Sequence, residues 1–374
     1  MSAVAEGSPD PVVVHPALAR PNARFDALDG LRGLAAIAVM VFHYTEHNGL
    51  RWIGNSWVAV DLFFVLSGFV IAHSYADKIA GGMRFTRFLA IRWMRLGPLY
   101  LVGLAMGVAA LVVTLELDPP AAPVSTLQWI WAAILGIFWL PFVNDLTWPF
   151  AGDMIRGAIF PLNIPAWSLF FELAVNVAFF ACVRSTGRTA GRIWILLAWA
   201  GFFFLTWRWH VFNPGWSSNW HGLVLGMLRV TAEFFLGALI WQQGWHRSWL
   251  ATRLPFAAIA VGAACLLAFA LTSPKVALLD TLVGVPLTIT LLAGVEVSGW
   301  SQRVCRELGE ISYPLYILHY PLFQLCYELT SLRDLHPALQ VVLVGALALG
   351  LAALFAKLDR AVRARWSSRT TRSA

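Results

Sequence analysis

The sequence predicts an all-α integral membrane protein of about ten transmembrane helices, with an extra re-entrant or interfacial segment. Three observations carry that prediction. First, 59% of the 374 residues are hydrophobic and only 13% are charged, whereas soluble chains carry about 25% charged residues to cover their aqueous surface. Second, ten apolar stretches are each long enough to cross a hydrocarbon core of about 30 Å. Third, the basic residues sort to one side of those stretches. The net charge of +7 therefore reads as membrane orientation and gives no ground for a nucleic-acid partner. Many of the 19 Trp lie near the ends of the stretches, as interfacial belts require.

In chain order the stretches are 28–45, 58–75, 96–117, 166–183, 193–209, 223–243, 256–273, 276–298, 310–330 and 338–358. Residues 1–25 are polar and Pro-rich, without the apolar core of a signal peptide. They read as a disordered cytoplasmic segment, ahead of a membrane domain over 26–359 and a basic cytoplasmic tail over 360–374. A further apolar stretch, 129–143, is about 15 residues long, short for a crossing. If it crosses, the basic connection 184–192 and the C-terminal tail land opposite the basic connection 78–95. If it lies in or on the membrane, all three fall on one side. In that arrangement only Arg51, Arg156, Lys275 and Arg333 of the 27 Lys and Arg occupy connections on the opposite side, with Arg208 and Arg229 near or within spans. That bias places both termini in the cytoplasm. Cys182, Cys265, Cys305 and Cys326 show no disulfide or metal-ligand spacing, so no metal site is expected.

The polar residues inside the spans are the candidates for function, because a titratable group in a membrane helix is costly unless it faces a partner or a water-filled cavity. Arg32 and His43 are 11 positions apart, roughly 20° past three whole turns, so they share a helix face about 16 Å apart along the axis. Asp29 can pair with Arg32 on that face. Imidazole titrates near neutrality and suits His43 to general-base work, although a lone membrane histidine serves equally well as a packing residue. Arg84, Arg87, Arg92 and Arg95 form a guanidinium cluster suited to phosphate groups, or merely to the inside rule and anionic lipid. Ser168, Glu172 and Asn176 recur at steps of four and make one polar stripe. Glu172 can charge-balance an imidazolium or simply join helices. Asp61 lies at a depth comparable to His43 and is a candidate partner for it. Arg229 and Glu233, four apart, read as a structural pair.

Five segments in order resemble the acyltransferase-3 family of membrane acyltransferases. LDGLRGLAAIAVMVFHY resembles the N-terminal signature through Arg32 and His43, and DLFFVLSGF through Asp61, Ser67 and Gly68. RFTRFLAIRWMRLGPLY is similar to its Arg-rich loop at Arg84, Arg87, Arg92 and Arg95. PAWSLFFEL resembles its Trp-Ser-Leu then Glu pattern at Trp167, Ser168 and Glu172. LGEISYPLYILHYPL resembles its penultimate-span signature through Ser312, Tyr313, Tyr316 and His319. The resemblance implies an O-acyltransferase of the cell (inner or plasma) membrane. Its donor substrate would be cytoplasmic acyl-CoA, acetyl-CoA above all, with no bound cofactor, and its acceptor a hydroxyl of a carbohydrate or cell-envelope glycan. It further implies catalytic roles for His43, Arg32, Asp61 and Glu172 with His43 as general base, donor binding by the four arginines, and support from Ser67, Trp167, Ser168, Tyr316 and His319. Acylation of a small product such as a macrolide, and a glycan transporter or exporter with His43 and Glu172 as a proton relay, are the alternative expectations. Membrane lipids are the remaining partners; the oligomeric state is left open.

Overall fold

The computed structural model describes residues 24–50, 52–117, 125–147, 156–185, 188–209, 213–248, 255–268, 273–329 and 331–370. Of the N-terminal segment expected to be disordered, all but Arg24 and Phe25 lies outside them. The helices are α1 (Asp26–His47), α2 (Val58–Ala80), α3 (Phe85–Leu117), α4 (Thr126–Ile137), α5 (Ala166–Ser185), α6 (Arg188–Trp209), α7 (Trp220–Gln243), α8 (Pro255–Ala268), α9 (Pro274–Leu279), α10 (Val285–Leu292), α11 (Gly299–Leu329) and α12 (Pro337–Thr370). A π-helical turn, Asp280–Gly284, joins α9 to α10. No strand forms among the described residues, which hold two isolated bridges, Thr147 with Arg156 and Ala158 with Ser217.

Each of the ten predicted stretches overlaps helix, although 256–273 and 310–330 extend beyond the described residues and 276–298 covers α9, the π-helical turn and α10 before ending in irregular chain. Seven helical segments among the described residues are long and apolar enough to cross a membrane. α4 is not one of them. Its 12 residues give about 18 Å, well under the hydrocarbon thickness, and irregular chain follows it from Trp139 to Leu146. The 129–143 stretch thus takes the short form that the charge bias favours. α11 has the opposite character: its 31 residues give about 46 Å, but it carries too many polar groups to count as an apolar span. It keeps Ser312, His319, Gln324 and Glu328 buried by packing against α1, α3 and α12.

α1 and α11 run parallel, and this pairing positions the candidate site. Their contacts keep a nearly constant offset: Asp26 meets Arg306, 280 positions away, Arg32 meets Gly309 at 277, and His43 meets His319 at 276. Small residues permit the approach, since a Cβ on Gly33 would stand 2.6 Å from the Leu308 carbonyl oxygen. α2 and α7 meet in the same way, where a Cβ on Gly237 would lie 1.8 Å from the Val65 carbonyl oxygen. α7 begins at Asn219, whose side chain accepts from the Gly222 amide at 2.6 Å, and ends at Gly244 with φ 68°, a capped start and a left-handed stop.

Candidate active site

At the centre of the α1–α11 seam the His319 Nε2 lies 3.0 Å from His43 Nδ1. His319 is fully buried, while His43 is half-buried. Backbone carbonyls determine which nitrogens carry hydrogen. His319 Nδ1 is 3.0 Å from the Leu315 carbonyl, which can only accept, so Nδ1 holds the proton and Nε2 of neutral His319 is an acceptor. His43 Nδ1 then faces two acceptors, His319 Nε2 and the Val39 carbonyl at 3.0 Å, and must be the donor. The lone pair of neutral His43 is thereby left on Nε2, the position a general base uses. Tyr44 donates to the His319 carbonyl at 2.8 Å, and the Tyr320 ring packs edge-on against His43 at 5.5 Å.

Proline shapes the same helix. Pro321 has no N–H to give to the carbonyl of Ile317 four residues back, and Asn163 Nδ2 donates to that carbonyl instead, at 3.0 Å. This ties α11 to the chain between α4 and α5. About one turn before His319, Tyr316 shares a 2.8 Å hydrogen bond with Ser168 of α5, and the buried Trp167 lies beside Arg229 at 5.8 Å.

A second cluster brings Glu172 of α5 together with Arg92 of α3 at 2.6 Å and Ser67 of α2 at 2.7 Å. The Arg92 side chain is only 3% exposed. Arg32 donates to Ser312 at 2.8 Å and the Gly309 carbonyl at 2.6 Å, and pairs with Asp29 at 3.2 Å. With a quarter of its side chain exposed, it stands within electrostatic reach of Arg95 and Glu172. The four arginines of the basic segment therefore divide: Arg84, Arg87 and Arg95 are exposed, and Arg92 is buried and neutralised by Glu172.

Asp61 takes a different place from the one its depth suggested. It accepts from Arg229 and from Thr281 of the π-helical turn at 2.9 Å, so none of its hydrogen bonds is with His43. Glu233 is 3.7 Å from Arg229, and Arg229 also donates to Asn213 and the Pro214 carbonyl. The expected Arg229–Glu233 pair is thus a triad in which Asp61 holds the shorter bond. Similarly, the hydrogen bonds of Glu172 go to Arg92 and Ser67. The partner of the imidazole is His319, expected only to support the site. Asn163, Tyr44 and Thr281 were not singled out from sequence, and nothing in their local pattern marks them.

The acyltransferase-3 model, described as an acyltransferase domain, matches residues 25–357. The chain belongs to this family. It is a membrane acyltransferase, and the five motifs lie within the matched region. Among curated relatives it is similar to protein 2 in the picA locus of Rhizobium radiobacter, 38% identical over 42% of this chain and 82% of that protein. It is also similar to acyltransferase MdmB of Streptomyces mycarofaciens, 28% identical over 79% and 78% of the two chains. The exopolysaccharide production protein ExoZ of Rhizobium meliloti is 28% identical over 75% of this chain and 80% of its own length. No solved structure matches.

Proposed function

We propose that this acyltransferase moves an acyl group, acetyl in the first instance, from acyl-CoA to a hydroxyl of a carbohydrate or cell-envelope glycan. The observation that carries the reading is the His43–His319 pair, with its tautomers set by the Val39 and Leu315 carbonyls. As the acceptor oxygen attacks the thioester carbon, His43 Nε2 takes the hydroxyl proton. The imidazolium donates through Nδ1 to His319, and the proton passes to the CoA sulfur as the carbon–sulfur bond breaks. The similarity to an exopolysaccharide production protein supports a carbohydrate acceptor.

In this reading both termini are cytoplasmic and the membrane is the cell membrane, as the charge bias favours. Arg84, Arg87 and Arg95 meet the phosphates of the donor by paired hydrogen bonds. Arg32, partly exposed and held by Ser312 and Gly309, stands between that basic face and His43. Glu172 and Ser67 keep the buried Arg92 neutralised, and Asp61 holds Arg229. The test is free-thiol release from acetyl-CoA by purified protein in nanodiscs, with and without an envelope glycan extract, together with detection of the ester. Acceptor-dependent thiol and ester in equal amounts support the proposal. The absence of both donor binding and thiol release would reject the proposal.

A further inference from the structure

We propose that Gln324 is an acceptor-positioning residue, whose carboxamide holds neighbouring hydroxyls of a polyhydroxylated acceptor while another of its hydroxyls lies at His43. The proposal rests on the acyl-transfer reading of the His43–His319 pair. Gln324 is 0% exposed, and neither its nitrogen nor its oxygen has a hydrogen-bond partner. A buried carboxamide with both groups unmet is costly, and within an apolar helix bundle a leucine would fill the same space without that cost. An unmet donor and acceptor at one point call for a ligand that supplies both, as adjacent sugar hydroxyls do.

The position fits that role. Gln324 follows His319 by five residues on α11, about 7.5 Å farther along the axis and roughly 140° around it, with Tyr320 between the two faces. It is one turn beyond Tyr320, whose ring packs against His43. It also lies 11 positions after Tyr313 and so shares its face to within roughly 20°. Tyr313 reaches the Leu96 carbonyl of α3, so Gln324 continues the side of α11 that faces α3. Tyr320 is packed by Ala158 and Ile164 of the chain between α4 and α5.

The experiment compares wild type with Gln324→Leu in nanodiscs, using acetyl-CoA as donor. The acceptor probes are the methyl glycosides of glucose, galactose and mannose, with 1-hexanol as a single-hydroxyl control. Wild type is expected to acylate at least one glycoside. Gln324→Leu should raise that KM about tenfold, the worth of two neutral hydrogen bonds of ~0.7 kcal/mol each. Its kcat, its hexanol rate and its acetyl-CoA binding should be unchanged, and its melting temperature equal or higher. An unchanged glycoside KM overturns the proposal. So does a lower melting temperature with parallel loss on glycosides and hexanol, which marks a packing role. Wild type that binds acetyl-CoA but acylates hexanol alone overturns the polyhydroxylated ligand. Wild type that does not bind acetyl-CoA rejects the donor of the proposed function, on which this inference rests, and the inference falls with it.

Discussion

Replacing His319 by leucine probes the imidazole pair, because it removes the acceptor 3.0 Å from His43 Nδ1 while leaving the Val39 carbonyl to hold the tautomer. Ground-state geometry should therefore survive, and the loss should fall on the charged state formed during transfer. A hydrogen bond to a charged group contributes about 1.5–3 kcal/mol, and each 1.36 kcal/mol is tenfold in rate. The expected fall in kcat is about 10- to 150-fold, with donor KM within about twofold of wild type. His319→Gln, whose carboxamide oxygen can accept at the position of Nε2, should retain most of the activity. The assay is steady-state thiol release over a range of acetyl-CoA concentrations, with the melting temperature of each variant measured alongside. A leucine variant with wild-type kcat, or one that changes only KM, would refute the reasoning.

Glu172→Gln leaves Arg92 buried beside a neutral group. It should cost about 3–5 kcal/mol of stability, less to the extent that Glu172 is 15% exposed; adding Arg92→Met should recover most of it, as read by thermal unfolding. Gly237→Ala must push apart α2 and α7 at the Val65 carbonyl and should lower the melting temperature sharply. Gly345→Ala, whose new Cβ would meet only the Met40 side chain at 3.4 Å, should be nearly neutral. His246, in the short turn after α7, is buried and stacked on Trp241. Burial first, and then the Arg247 charge, lower its pKa to about 4 from an ordinary value near 6.5. Its folded pKa is depressed, so the neutral form is favoured in the folded state. The stability it contributes is full above pH ~6.5 and is lost as pH falls toward 4, by about 3 kcal/mol at most. Melting temperature followed from pH 7.5 to 4 should show this fall, and His246→Phe should flatten it.

The helices were legible because helical periodicity and hydropathy act locally. Arg32 and His43 do share a face of α1, and the brevity of 129–143 was visible as length. Partnership was much less legible. Which neighbour Asp61 and His43 each meet depends on how α1, α2, α7 and α11 dock, and no local pattern encodes that. The His43–His319 pair arises from parallel docking of helices 276 positions apart, and the triad at Arg229 from a π-helical turn that delivers Thr281 to Asp61. Hydropathy also undercounts α11, whose polar residues are satisfied or buried by three neighbouring helices. The burial of Arg92 beside three exposed arginines follows from its position on α3 facing Glu172, which the composition of the segment does not reveal.

The central claim, that His43 is the base, is tested most directly by His43→Ala and His43→Gln measured for donor binding and acceptor-dependent thiol release in the same preparation. The account predicts acetyl-CoA affinity within about threefold of wild type, and release lower by about 10²–10⁴-fold, the usual contribution of a general base. Release at the wild-type rate from a folded His43→Ala protein would contradict it.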